Sequence, residues 1–116
     1  MIKQELETIL ARHVLWFDNA PGGERASLAG ANLEMVNLAG VNLYGANMVG
    51  ANLANANLEG ANLEGANLQR ADLTWADLRR ANLRMANLYQ ADLRRADLTG
   101  ANLEGAYLAG VRGFLK

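Results

Sequence analysis

An uninterrupted five-residue repeat constrains this chain more than any other feature. From residue 26 to residue 110 the sequence reads as 17 consecutive blocks of five, without an insertion or deletion. The first place is Ala in 15 blocks, the second is Asn or Asp in 15, and the third is Leu in 16. The exceptions are Val36 and Val41 at the first place, Ser27 and Tyr107 at the second, and Met48 at the third.

A period of five suits neither a straight helix nor a flat strand. At about 100° per residue, successive Leu would step by about 140° around a helix axis and form no apolar stripe. In a strand the Ala and Leu of one block share a face, but the next Ala would point to the opposite face. The chain must therefore bend once per block, and repeated bends of one hand predict a coil whose layers pair as parallel strands.

The bend is predicted at the last two places of each block. Nine of the 17 blocks end in Gly, which permits the positive φ that a type II turn requires at its third position. Six consecutive blocks between residues 66 and 95 end in larger residues instead. We expect these six not to form type II turns, because a side chain disfavours positive φ.

The ANL and ADL runs resemble the signature A(D/N)LXX of the pentapeptide-repeat proteins, and the resemblance covers residues 26–110. It implies an all-β fold, a right-handed quadrilateral parallel β-helix in which four blocks make one turn. Leu would fill the core and Ala would lie beneath the corners. The 17 blocks would make a little over four coils, about 20 Å tall at about 4.8 Å per layer. Residues that differ by 20 in number would then stack.

The segment before the repeat is predicted to cap it. Apolar residues at spacings of three and four predict an amphipathic helix over residues 2–17. Its inward face comprises Ile2, Leu6, Ile9, Leu10, His13 and Phe17. We interpret the lone His13 as a packing residue rather than as a ligand or base. The predicted divisions are a capping helix at 1–19, a Gly-rich link at 20–25, the β-helix at 26–110 and a degenerate C-terminal cap at 111–116.

The C-terminal cap is short, so the end of the coil is expected to be partly hydrophobic. Phe114 and Leu115 are expected to fold over the last core layer. Some members of the resembled family pair end to end through their C-terminal coils. We therefore expect a homodimer whose contact includes Tyr107, Phe114 and Leu115.

The composition argues against catalysis. The chain has one His, one Ser and no Cys, so no nucleophile–base–orienter triad can be assembled. We predict a protein that is not an enzyme and has no cofactor or metal. Two predicted stacks, Asp72 with Asp92 and Asp77 with Asp97, could form a cation site or replace Asn in a structural role, and the structural role is favoured. The second-place Asn residues are predicted to form ladders of side-chain amides between layers.

Charge and hydropathy give no sign of a membrane or nucleic-acid partner. The formal net charge is −1, and no apolar run approaches the roughly 20 residues needed to cross a bilayer. The N-terminal residues lack the basic-then-apolar plan of a secretion signal. We expect a cytoplasmic protein.

Any information about partners must lie at the fourth and fifth places, which face solvent. Between residues 70 and 95 these places carry a group of large and basic residues that we call the belt. It comprises Arg70, Trp75, Arg79, Arg80, Arg84, Met85, Tyr89, Arg94 and Arg95. Three interpretations stay open: a solvated surface in which Arg balances Asp, a protein-binding face, and a contact for nucleic acid. Trp75 and Arg95 are predicted to share one column, one layer apart.

Two functions are compatible with these patterns. The first is a non-enzymatic scaffold that presents a rigid face to an unidentified protein partner. The second follows from the resemblance: some family members mimic DNA, bind type II topoisomerases such as gyrase and protect against quinolones. Mimicry needs a strongly acidic rod, whereas the repeat region has eight acidic and six basic residues. The scaffold is therefore preferred.

Overall fold

The computed structural model describes residues 1–113, in which one α-helix precedes a coil of short turns. Helix α1 spans Lys3–Phe17. The repeat contributes isolated parallel bridges, formed by the second-place residue of each block, rather than longer strands. The bridges join residues 20 apart, from Ser27 with Asn47 to Asp92 with Arg112. Four blocks therefore make one four-sided turn, as predicted.

The backbone N–H groups of each block follow one hydrogen-bonding plan. Leu33 N–H donates to the Asn52 carbonyl of the next coil at 2.7 Å, and Asn52 N–H donates back to the Ala31 carbonyl at 2.9 Å. The fifth-place N–H, here that of Met35, also donates to the next coil. Val36 N–H closes the corner by donating to the Leu33 carbonyl at 3.2 Å. Each corner is thus fixed by bonds within and between coils.

The second-place side chain satisfies the remaining N–H, that of the fourth place. Asn57 Oδ1 accepts from Glu59 N–H at 3.0 Å, and Asp77 Oδ1 accepts from Arg79 N–H at 3.1 Å. Only one oxygen is needed, which explains why Asn and Asp interchange. Among the described residues Asn side chains bond each other in two pairs only, both at 3.5 Å: Asn52 with Asn32 and Asn82 with Asn62. The prediction of amide ladders is therefore wrong for most of the coil.

The turn prediction for the six blocks without Gly is also wrong. Their fifth-place φ values run from 58° at Arg70 to 66° at Arg95, close to the 66–74° of the repeat glycines. Within residues 1–113 no fourth-place residue has a positive φ, so these blocks share the type II form. A left-handed residue costs about 1–2 kcal/mol. The hydrogen bonds at each corner outweigh that cost, and a Cβ placed at Gly40 or Gly60 would meet nothing within 4 Å.

The core is a stack of Leu layers bordered by Ala. Third-place residues from Leu28 to Leu93 are buried, and so are first-place Ala from Ala46 to Ala91. Each buried Leu contributes about 1.5–3 kcal/mol before the loss of chain entropy is subtracted. The last described coil is only half-buried at Leu98, Leu103 and Leu108. Phe114 and Leu115, predicted to cover this end, lie outside the described residues.

Helix α1 lies over the first coil, and only part of its predicted apolar face is buried. Leu6 and His13 are buried, and Ala26 N–H donates to His13 Nδ1 at 2.9 Å. His13 therefore packs and anchors the helix to the first block. Ile2 and Phe17 were expected to face inward, but they lie at the two ends of the helix and are 62% and 44% exposed. Phe17 instead makes an edge-to-face contact with the Tyr44 ring, with centroids 5.4 Å apart. Within residues 1–113 no helix is long and apolar enough to cross a membrane.

Candidate interaction surfaces on the coil

The nine belt residues surround the coil and do not share one face. Residues 20 apart occupy one column, so the register of the bridges assigns each belt residue to a face. The four groups are Arg79 with Arg80, Arg84 with Met85, Arg70 with Tyr89, and Trp75 with Arg94 and Arg95. A partner that meets one face therefore contacts only two or three of them.

The face that carries Arg79 and Arg80 is neutralised internally. Arg79 donates to both carboxylate oxygens of Asp77, at 2.9 and 2.8 Å, and Glu59 accepts from it at 3.3 Å. Arg80 also pairs with Glu59. The hydrogen bond from Arg79 lowers the pKa of Asp77, and the same bond raises the pKa of Arg79. On this face the solvated-surface interpretation describes the contacts well.

The neighbouring face holds Arg84 between two acidic residues. Glu64 accepts from Arg84 at 2.7 Å and Glu104 accepts at 3.2 Å, so one guanidinium links three coils. These two hydrogen bonds raise the pKa of Arg84. Exposed ion pairs of this kind contribute little to stability because water and salt screen them. They do, however, neutralise the positive charge of Arg84, which is then not available to an acidic partner.

The stacked Asp residues are individually paired with donors. The predicted register of Asp72 with Asp92 and of Asp77 with Asp97 is confirmed by their bridges. Arg94 donates to both oxygens of Asp92, at 2.9 and 2.7 Å, and lowers the pKa of that carboxyl. The Thr99 hydroxyl does the same for Asp97, donating at 2.7 Å and lowering its pKa. Within the described part of the chain no group of three or more His, Cys, Asp or Glu could hold a metal ion.

A row of ring contacts occupies the face of Arg70. Arg70 Nε donates to Gln90 Oε1 at 3.1 Å, and the guanidinium lies 5.8 Å from the centroid of the Tyr89 ring. Tyr89 stacks in turn on Tyr107, with centroids 5.9 Å apart. Tyr107, predicted to belong to a dimer end, therefore sits on a lateral face of the coil, where it is exposed.

One corner of the coil contains no Gly in any layer. Its fifth-place residues, which we call the glycine-free edge, are Met35, Asn55, Trp75 and Arg95, with φ between 60° and 66°. Each of the other three corners has Gly in three layers. The signal was present in the sequence, since these four residues are 20 apart. Trp75 and Arg95 were predicted to share one column, but that column was not extended to Met35 and Asn55, because the belt was limited to residues 70–95.

The contacts among these side chains do not offset what their backbone costs. Each non-Gly residue in this conformation costs about 1–2 kcal/mol, with Asn the least affected. The Arg95 guanidinium lies 5.4 Å from the Trp75 ring centroid, and an exposed pair of this type contributes about 0.5–1 kcal/mol. Met35 is 73% exposed and Trp75 is 61% exposed. The fold alone gives no energetic reason to keep these side chains.

Trp75 and Arg95 line a shallow groove of about 330 Å³ together with Thr74 and Arg94. Arg94 is bound to Asp92, whereas Arg95 has no carboxylate partner among residues 1–113. The groove thus offers an aromatic surface and a guanidinium without a counter-ion. These two groups are suited to binding.

Comparisons with known proteins agree with this architecture. A family model described as pentapeptide repeats matches residues 24–60, 46–84 and 76–112. Among solved structures, a pentapeptide repeat protein (Rfr23) from the cyanobacterium Cyanothece 51142 is 44% identical over 76% of this chain, with a TM-score of 0.60. Another, alr5209 from Nostoc Pcc 7120, is 38% identical over 86% of this chain and 72% of its own, with a TM-score of 0.67. The chain spans 56% of the length of the Cyanothece protein.

A more distant match supports the fold alone. QnrB1, a plasmid-mediated fluoroquinolone resistance protein, is 21% identical over 77% of this chain and 46% of its own, with a TM-score of 0.66. A search of curated proteins found no match to the sequence.

Proposed function

Because the chain belongs to the pentapeptide-repeat family, with matches from residue 24 to residue 112, we propose that it is a non-enzymatic scaffold for a protein partner. Its rigid coil presents side chains at fixed spacings. The observation that carries this proposal is the exposure of Trp75 and Met85 at corners whose backbone favours Gly. Large exposed side chains at such corners are explained by contact with another protein.

The alternative function, DNA mimicry toward a type II topoisomerase, has less support. A mimic must present unpaired negative charge to a groove that grips phosphates. Here the carboxylates of Glu59, Glu64 and Asp77 are bound by arginines of the belt. We therefore expect no effect on gyrase supercoiling at micromolar protein. Inhibition of supercoiling, or protection from a quinolone, would favour mimicry over the scaffold.

Partner capture tests the scaffold proposal. All eight non-Gly fifth-place residues of the repeat would be changed to Gly, a residue that keeps the backbone conformation. They are Met35, Asn55, Arg70, Trp75, Arg80, Met85, Gln90 and Arg95. An extract of the organism that encodes the chain would then be passed over the native protein and the variant. The proposal predicts a captured protein that the folded variant loses, and an unchanged set of captured proteins would contradict it.

The proposal includes the assembly, winding and location of the protein. We propose a homodimer through the C-terminal coil, supported by the half-buried Leu98, Leu103 and Leu108. Phe114 and Leu115 would contribute to this contact, with Tyr107 at its margin. Light scattering at tens of micromolar tests it, since a mass of one chain would contradict a dimer.

We also propose that the coil is right-handed and that the protein works in the cytoplasm. A chain without cysteine suits that reducing compartment.

A further inference from the structure

We propose that the glycine-free edge, with Arg94 beside it, binds an extended acidic peptide segment of a protein partner. The segment carries an aromatic or aliphatic side chain about one or two residues from its carboxylate. This inference rests on the proposed scaffold function and names the surface and the ligand chemistry. The carboxylate meets Arg95, while the apolar side chain lies against Trp75.

The first reason to choose this edge is that its column has a side chain at the corner of every layer. Steric room does not explain Gly in the earlier layers, because a Cβ added at Gly30, Gly40 or Gly60 would meet nothing within 4 Å. In the last layer a Cβ at Gly105 would clash with the side chain of Met85, and one at Gly110 would approach that of Gln90 to 3.0 Å. The corners therefore differ in how many layers carry a side chain at the fifth place. Only this edge retains a side chain in all four layers, from Met35 to Arg95.

Charge complementarity is the second reason. On two of the other faces Arg79, Arg80 and Arg84 are bound by carboxylates of their own column, and on the third Arg70 is hydrogen-bonded to Gln90. On this face Asp92 binds Arg94, and Arg112 approaches the same carboxylate at 4.0 Å. Two of the three arginines near the C-terminal end of this face, Arg94 and Arg112, thus share Asp92, and Arg95 has no carboxylate partner within the described residues. An incoming carboxylate would supply the missing counter-ion at Arg95.

The dimensions of the edge fit a short peptide. Successive layers are about 4.8 Å apart, so Met35 and Arg95 are separated by about 14 Å. An extended chain rises about 3.3 Å per residue, so four or five residues cover this distance. The peptide would bring its carboxylate to Arg95 and its apolar side chain to Trp75 or Met35. Glu34, beside Met35, disfavours a second carboxylate at the other end.

A single-stranded nucleic acid is the less suitable ligand for the same groove. Aromatic stacking with arginine is typical of such binding. The face also carries Glu34, Asp72 and Asp92, whose charges would repel a chain of phosphates. A peptide with a single carboxylate at Arg95 meets less of that repulsion.

The test selects peptides from a display library of random ten-residue sequences on the full native protein. The enriched peptides are expected to carry Asp or Glu about one or two residues from an aromatic or aliphatic residue that meets Trp75, or about four or five residues from one that meets Met35. The best peptide, labelled with a fluorophore, should bind at least tenfold more weakly to Trp75→Gly and to Arg95→Gly. The matched variants Gln90→Gly and Arg80→Gly, at equivalent corners of other columns, should change its affinity by less than twofold. Circular dichroism would show that all four variants fold.

Several results would overturn this assignment. They are no enrichment over a matrix without protein, enriched peptides without an acidic residue, or equal losses in edge and matched variants. Binding of a labelled ten-nucleotide oligo(dT) that Trp75→Gly and Arg95→Gly abolish would assign the groove to nucleic acid instead. A partner could also be captured by the native protein, by Trp75→Gly and by Arg95→Gly, but not by the eightfold Gly variant. That result would support the scaffold function and reject this edge as the binding site.

Discussion

The guanidinium of Arg95 lies 5.4 Å from the centroid of the Trp75 ring, one coil along, and both residues hold positive φ. This pair is the clearest contact within the glycine-free edge. It brings a cation and an indole together at two positions where Gly would remove the strain of a positive φ. What the pair contributes to stability can be measured directly.

A double-mutant cycle with Trp75→Gly and Arg95→Gly should give a coupling energy of about 0.5–1 kcal/mol. Urea unfolding of the four proteins supplies the values. The cation–π geometry accounts for the coupling, and no third side chain is needed. Additive effects of the two substitutions would show that the pair is not formed in solution.

Core truncation should depend on the layer. Leu63 is fully buried, so Leu63→Ala is expected to lower the free energy of unfolding by about 2–5 kcal/mol. Leu103 is only half-buried in the last described coil, and Leu103→Ala should cost clearly less. Thermal or urea unfolding compares the two. Equal losses would mean that the end of the coil is covered as completely as its middle.

The second-place side chain should matter through one oxygen. Asn67 Oδ1 accepts from Gln69 N–H at 3.1 Å, in a column without charged second-place residues. Asn67→Ala should lower the free energy of unfolding by about 1–3 kcal/mol, because it leaves a backbone donor unsatisfied. Asn67→Asp keeps the oxygen and should cost less than half as much. If the two substitutions were equally harmful, an amide ladder would regain support.

Acidification should destabilise the fold through His13. Burial lowers the pKa of His13 below its ordinary 6.5, so the unfolded chain binds the proton more readily than the folded one. The stabilising contribution is therefore complete above pH 6.5 and is lost as the pH falls toward the lowered folded pKa. The carboxyls of Asp77, Asp92 and Asp97, whose pKa values are also lowered, lose their contribution only below about pH 4.

Melting temperatures between pH 7.5 and pH 5 test this expectation. Asn can accept a hydrogen bond from Ala26 N–H as His13 Nδ1 does, but it does not titrate in this range. His13→Asn should therefore flatten the profile relative to the native protein. A profile that falls equally in both proteins would assign the pH dependence to other groups.

The period of five was sufficient to predict the coil, because an odd period with paired apolar places has few solutions. The core from Leu28 to Leu93 follows from that period alone. The turns at Trp75 and Arg95 were mispredicted because local steric preference was weighed without the bonds that fix every corner. The Asn ladder failed for a related reason. Each oxygen lies closer to the N–H of its own block, about 3.0 Å for Asn57, than to an amide one coil away.

The site was less predictable than the fold. Pairings such as Arg79 with Asp77 occur within one ADLRR block and could be read from the sequence. Those across coils, such as Arg84 with Glu64, require the register of 20 residues to be applied to the side chains. Applied in that way, the register also reveals the glycine-free edge. The fractional exposure of Met35 and Trp75, in contrast, depends on side-chain placement that no pattern specifies.

The glycine-free edge keeps its side chains at the expense of stability. The most direct test is the free energy of unfolding of the triple variant Met35→Gly, Trp75→Gly, Arg95→Gly, measured with urea against the native protein. Gly relieves the backbone at three left-handed positions, which stabilises the variant. The lost cation–π contact and the greater freedom of the unfolded chain offset part of this gain. The free energy of unfolding is therefore predicted to increase by about 1–3 kcal/mol. A decrease would contradict the claim, because these side chains would then stabilise the coil itself.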